Sequence, residues 1–587
     1  MRRILFLTVF QVCVLMVNAQ KPVFISPFSS STSGKMNNFV IADTTKLYEV
    51  LRSCPDRSYT SAKPASKVQI ALPSNDKQFD IYDIYETHIL KPELAAKYPH
   101  IKTYFAQCAT DESKLAYITF SPTISEITFI NNAGFTSLKK DNITQEFRMA
   151  AFSKETGKNF ICGNNDAELN NRSASTLATE HVQSCSFYNI TAAFSCSVRF
   201  SQAAADEVAV GTSPSIAISL AKITSILNNQ INPVYEREAA IFFDLVTDET
   251  DVILIDSDPF VENDLSASVG INNGFMMSNI NDPAYKMGFL LDKQTGPVLE
   301  GNIGLSSGSI CSNDFEKGSN GAYYYDQSNG PRQHSVLHEI GHFLGAKHTF
   351  NYHVASTQNT EASVELYGGY SIMGYGYNLG YWPSASFGLP FPGNWPNTHS
   401  SSVLHFNAVS LKQIFTKLAE ATCLAPTPLP CAGLDAIANT TENIIIPKGT
   451  SFMLRASNTP GDNNMFYQFN QVDNGVINGW PLDIENPDIP LTPSYRSTNK
   501  AYRFFRGPLE ADNNQHLSNV GREMNFNYLK RRVLGGIGVT DINYKKVTVS
   551  SEAGPLKITS INYEPDAATT TIHDFKFNCQ SNIKIKI

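Results

Sequence analysis

The residues with the most chemistry to offer lie together in QHSVLHEIGHFLGAKH. His338 and His342 stand one helical turn apart, which places both imidazoles on one face of an α-helix. A tetrahedral zinc ion takes imidazole nitrogens at about 2.0–2.1 Å, so adjacent turns of one helix can hold it. Glu339 follows the first histidine and projects about 100° round the helix from it. From there it reaches a metal-bound water without being a ligand, and can take the water's proton and hand it to a leaving amine. Gly345 and His348 then follow at offsets that a straight helix would waste. A glycine can end the helix in a left-handed turn, reverse the chain and bring His348 back to the metal. Three histidines leave one position open for water and substrate. HExxH alone turns up on ordinary helices as surface histidines, but the added Gly345 and His348 make a chance match rare. The expected cofactor is therefore one catalytic zinc ion held by His338, His342 and His348, with Glu339 as general base and acid; no calcium motif accompanies it.

These residues need elements to position them. Val336, Leu337, Ile340, Phe343 and Leu344 supply an apolar face that buries the motif helix. Upstream, SPSIAISLAKITSILNNQINPVYERE carries apolar residues at helical spacing, and AAIFFDLV and DVILID read as strands. A late helix is expected over residues 402–423, before Pro426, Pro428 and Pro430 break the chain. Beyond the prolines, IIIPKGTSFMLRAS, MFYQFNQV and KKVTVSS read as an all-β module. Before the central region, residues 21 to about 160 alternate short apolar strands with turns, and GNNDAELNNRSASTLATE is a polar linker suited to proteolytic nicking.

Composition places the chain among folded, exported proteins. It has 587 residues, more than one core usually serves, with 42% hydrophobic and 17% charged residues. A formal charge of -8 and the absence of a basic cluster argue against nucleic acid and anionic membrane as partners. Arg2 and Arg3, the apolar run Ile4 to Val17 and the small-residue exit at Ala19 read as a signal peptide, too short for a bilayer span. No later stretch is apolar enough to cross a membrane, so a secreted, soluble monomer is expected. Nine cysteines remain after Cys13 leaves with the signal, which suits an oxidising compartment and leaves one thiol over. Their closeness in sequence suggests Cys423 with Cys431 and Cys185 with Cys196 as disulfide pairs.

HEIGHFLGAKH matches the metzincin consensus HExxHxxGxxH. That family has a methionine in a tight turn beneath the metal, and Tyr370-Ser371-Ile372-Met373-Gly374-Tyr375 resembles it, with Met373 as an apolar floor and not a ligand. Within the metzincins the chain resembles secreted bacterial reprolysin-like (adamalysin-type) peptidases, through KYPHIKTYFAQ, INPVYERE, HTFN and LHFNAVSLKQI; IPKGTSFMLRASNTPGDNNMFYQFNQVDNG resembles the β-sandwich that follows such peptidases. The resemblance implies a multidomain α+β protein: signal peptide 1–19, β-rich prodomain 20–162, linker 163–186, metzincin zinc peptidase domain 187–424 with a mixed sheet and active-site helix, and C-terminal all-β module 425–587. Two positions depart from the adamalysin pattern. Thr349 stands where Asp is usual, and Tyr375 stands where astacins and serralysins carry a tyrosine near the zinc, which makes it a candidate oxyanion donor beside the plainer reading of an aromatic packed at the turn.

The resemblance implies an endopeptidase acting on protein or peptide substrates, made as a zymogen. Cys162 precedes the linker and is a candidate cysteine switch, its thiolate filling the open metal position; a disulfide with Cys54 or Cys108 is the alternative. Residues Gly301 to Leu305 are a candidate sheet edge for binding substrate as an added strand, or a plain turn. Two other functions compete. One is an exported binding or adhesion protein whose C-terminal module does the work, and the other is a zinc hydrolase of a non-peptide bond.

Overall fold

A computed structural model describes most of residues 23–578; residues 1–22, 152–161, 165–178, 352–361, 375–403, 435–443, 563–573 and several shorter stretches lie outside the described residues. The expected signal peptide and Tyr375 therefore lie outside them. No helix of the described residues is long and apolar enough to cross a membrane. The fold is mixed α/β, with large sheets and few helices.

The N-terminal part, from Val23 to Ala151, forms one ten-stranded sheet. From Val68–Pro73 to Phe147–Ala151 its strands pair antiparallel with their chain neighbours. Period-two alternation splits the side chains of these strands between two cores. Tyr104, Ala106 and Ile118 pack into the sheet's own core, while Phe105 and Tyr117 join a larger core built on the central region. That is why Leu115–Phe120 is buried along its whole length.

The central region is built on a mixed sheet in the order Ile241–Leu245, Ser186–Cys196, Tyr285–Lys293, Asn320–Tyr325, Gly304–Ser306. The first four strands are parallel, and Gly304–Ser306 closes the edge antiparallel to Asn320–Tyr325. The helical stretch upstream runs as Ile216–Ile226, a π-helical turn Leu227–Ile231 and Asn232–Ala239. The late helix is shorter than its sequence pattern, Ala408–Glu420, because Asn407 caps it by accepting the amide of Val409. DVILID does not form the expected strand. Glu249–Val252 is a 3-10 turn whose Glu249 carboxylate accepts the amide of Phe194, and pairing with the strand Ser186–Cys196 is limited to a single parallel bridge between Ile253 and Cys196.

In the C-terminal part, Val182–Ser184, Ile537–Ser550, Arg522–Leu534 and Met465–Gln471 lie side by side, with Ile444–Pro447 also on Ile537–Ser550. A separate pair joins Phe452–Arg455 to Tyr502–Phe505. The end of the expected linker thus enters a sheet whose other strands come from the far end of the chain.

The disulfide expectations are corrected. Cys185 pairs with Cys431, and Cys311 with Cys423. Thr427–Pro428 pairs with Ser186–Phe187, and the amide of Leu429 donates to the carbonyl of Cys185, so the chain returns beside its own start. Nearness in sequence was the wrong guide to nearness in space. Cys54, Cys108, Cys162 and Cys196 are buried and outside the two disulfides, so Cys162 is in no disulfide with Cys54 or Cys108.

Candidate metal centre

The motif helix is Gln333–Phe343, buried everywhere except at His334. Its end follows the logic of the glycine. The amide of Ala346 donates to Gly341 and that of Gly345 to His342, a Schellman arrangement, with Gly345 at φ +93°. The reversal brings His348 to the first two histidines. His342 Nε2 lies 3.0 Å from His338 Nε2 and 3.2 Å from His348 Nε2. Tetrahedral zinc–nitrogen bonds would set such atoms about 3.3 Å apart, so the three residues fit the ion.

The ring orientations are held from behind. His338 Nδ1 lies 2.7 Å from the carbonyl of Ile372, and His342 Nδ1 lies 2.8 Å from the carbonyl of Ala346. A carbonyl only accepts, so each Nδ1 keeps the proton and each Nε2 keeps its lone pair for a metal. Burial, with His342, His348 and His334 nearby, holds His338 well below the usual histidine pKa, which favours the neutral form that can ligate.

Glu339 is fully buried beside this cluster. Its place depends on Gly304, where an added Cβ would lie 2.1 Å from Glu339 Oε1. The edge strand expected to receive substrate therefore presses its backbone against the acid. Cys162 reaches the same spot. One ligand atom from each of Cys162, His338, His342 and His348 lies within 4.8 Å of the others. The Cys162 thiol lies 3.5 Å from Glu339 Oε2. Cys162 bridges Gly304 in parallel, and Asn164 Oδ1 accepts the amide of Ser306, so this segment occupies the edge.

Met373 is fully buried against the motif helix, where a Cβ on Gly341 would lie 2.5 Å from its sulfur. Glu365 is the residue that sequence reasoning missed. Its Oε2 accepts the hydroxyls of Thr349 at 2.6 Å and Ser371 at 2.9 Å, and the amides of Tyr370 and Ser371. Its Oε1 accepts Asn407 Nδ2 at 3.1 Å. The Met373 carbonyl accepts the amide of Thr349. A buried carboxylate thus ties the residue after the third histidine to the methionine turn. Only Thr349, standing where the resemblance calls for Asp, hinted that a carboxylate had to come from elsewhere.

Residues 220–349 match Metallo-peptidase family M12B Reprolysin-like. The chain carries a reprolysin-like metallopeptidase domain. The match begins within the helix Ile216–Ile226 and stops at Thr349, so it includes the three histidines and Glu339 but ends before Met373. Among solved structures, metalloproteinase-II from Bacteroides fragilis is similar at 11% identity and TM-score 0.30, over 68% of this chain and 99% of that one. No curated protein matches. A reprolysin-like domain is a zinc metallopeptidase domain, which makes protein the general class of substrate.

Proposed function

We propose that this protein is a secreted zinc-dependent endopeptidase, made latent and acting as a monomer on proteins or peptides. The carrying observation is the convergence of three histidine Nε2 atoms beside a buried glutamate. His338, His342 and His348 would hold the ion, and the bound ion would polarise the scissile carbonyl and acidify a water. Glu339 takes the proton of the attacking water and returns it to the leaving nitrogen. The edge Gly304–Ser306 offers backbone groups to an extended substrate strand. Tyr375, two places beyond Met373, is proposed to donate to the developing oxyanion. Cys162 is proposed as the fourth ligand of the latent form, supported by its distance from the histidines. The domain limits proposed are signal peptide 1–19, prodomain 20–162, linker 163–186, peptidase 187–424 and C-terminal module 425–587. Two disulfides within the described residues accord with an extracellular setting.

The test is digestion of a protein substrate by enzyme cut on both sides of Cys162, with and without a zinc chelator, beside Glu339→Gln. Cleavage should need metal and fail in the variant. Equal cleavage by Glu339→Gln would sink the mechanism. Mass spectrometry of the products then reads the cleavage preference.

A further inference from the structure

The N-terminal sheet is joined to the rest of the chain by buried polar contacts and a shared apolar core. Arg57 makes a two-pronged contact with Glu236 of the helix Asn232–Ala239, at 3.0 and 2.6 Å, with both side chains buried. Its Nη2 also donates to the carbonyl of Gly535 at 2.8 Å, in the turn of the C-terminal hairpin. Tyr117 donates to the same Glu236 carboxylate at 2.7 Å. All three parts of the protein meet at this buried ion pair. The packing there is close: a Cβ on Gly536 would lie within 2.9 Å of Tyr117, Arg57 and Phe105.

The π-helical turn Leu227–Ile231 adds a second set of contacts. Asn229 Nδ2 donates to the Tyr117 carbonyl at 2.7 Å, and its Oδ1 accepts the Thr119 hydroxyl at 2.5 Å. Asn228 donates to the carbonyl of Ile118. One continuous apolar core runs through Phe105 and Tyr117 of the sheet, Ile223 and Leu227 of the helix, and Phe466 and Val533 of the C-terminal part. Separation would expose these faces to water together. The metal site is covered from elsewhere, by Cys162 and Asn164.

We propose that the sheet of residues 23–151 is a permanent subunit of the active enzyme, and that latency ends when the short segment around Cys162 is excised. The proposal rests on the latent-peptidase reading above. Its consequence is that one cut within residues 165–178 does not free the site. Cys162 would stay tethered by about ten residues to a docked sheet, at an effective concentration on the order of millimolar. A second cut, within residues 152–161, is needed to release it.

Full-length protein carrying a unique protease site in 165–178, in 152–161, or in both provides the test. Retention is read by native size exclusion in the Glu339→Gln background, where self-digestion is blocked. Latency is read with a quenched peptide on the otherwise unaltered chain. The sheet fragment should co-elute after every cut. Activity after either single cut should stay within about twofold of uncut protein, and should rise at least tenfold after both. Departure of the sheet after the 165–178 cut, with activity appearing, would overturn the proposal. Arg57→Ala with that same cut should loosen the fragment by the same assay, which supports retention through the Arg57–Glu236 pair. If doubly cut protein holds zinc and the sheet yet hydrolyses nothing, the peptidase reading fails while retention stands.

Discussion

The Nδ1 atom of His338 lies 2.7 Å from the carbonyl oxygen of Ile372, the residue before Met373. The backbone of the turn that carries Met373 therefore fixes the tautomer and tilt of a candidate ligand. Whatever holds that turn holds His338: Glu365 accepts the amides of Tyr370 and Ser371, and the carbonyl of His405 accepts the amide of Ile372 itself.

Glu365→Gln should weaken zinc binding about 10–100-fold, the usual cost of losing a group that orients ligands. Chelator competition measures it. Thr349→Asp added to Glu365→Gln should recover much of the loss, because it supplies a carboxylate from the position where the resemblance places one. Wild-type zinc affinity in the single variant would remove Glu365 from this role.

Gly304→Ala should cut kcat about 10²-fold while zinc stays bound, because the new methyl would enter the space of the Glu339 carboxylate. Zinc content and steady-state kinetics read the two effects separately. An unchanged kcat would mean that Glu339 works from a different position.

Cys162→Ser should raise the activity of the uncut chain, since a serine hydroxyl is a far weaker zinc ligand than a thiolate. The switch fails if the variant zymogen remains as silent as the parent. Thermal denaturation of the same variant separates unblocking from loss of fold.

Asp473 gives a pH signature in the C-terminal part. Burial lifts its pKa to about 6, against the pull of Gln471, Arg522 and Asn525. A carboxyl with a raised folded pKa binds its proton more tightly folded than unfolded. Its contribution is full below the unfolded value near 3.8 and is lost as pH climbs to about 6, a change of up to about 3 kcal/mol. Denaturant melts of the parent and Asp473→Asn across pH 4–7 should differ in slope over that window. Parallel slopes would contradict the shift.

How much was legible beforehand follows from how local each feature is. The spacing of His338, His342, Gly345 and His348 sits within three turns of chain, where helix geometry and one positive φ settle the outcome. The strand periodicity of the outer parts was readable for the same reason. DVILID misled because a buried acid 55 residues from its partner amide decided that turn.

The sequence by itself determined the helix that carries His338 and His342, the reversal at Gly345 and a tight turn at Met373, because each rests on neighbours a few residues apart. Only the tertiary structure decided which cysteines pair, that Glu365 supplies the carboxylate absent at Thr349, and that Cys162 returns to the histidines from 177 residues before Glu339. It also joined Arg57 to Glu236 across 179 residues. Such contacts form because separate apolar faces share one core, and periodicity shows which residues are buried but not which distant face they meet.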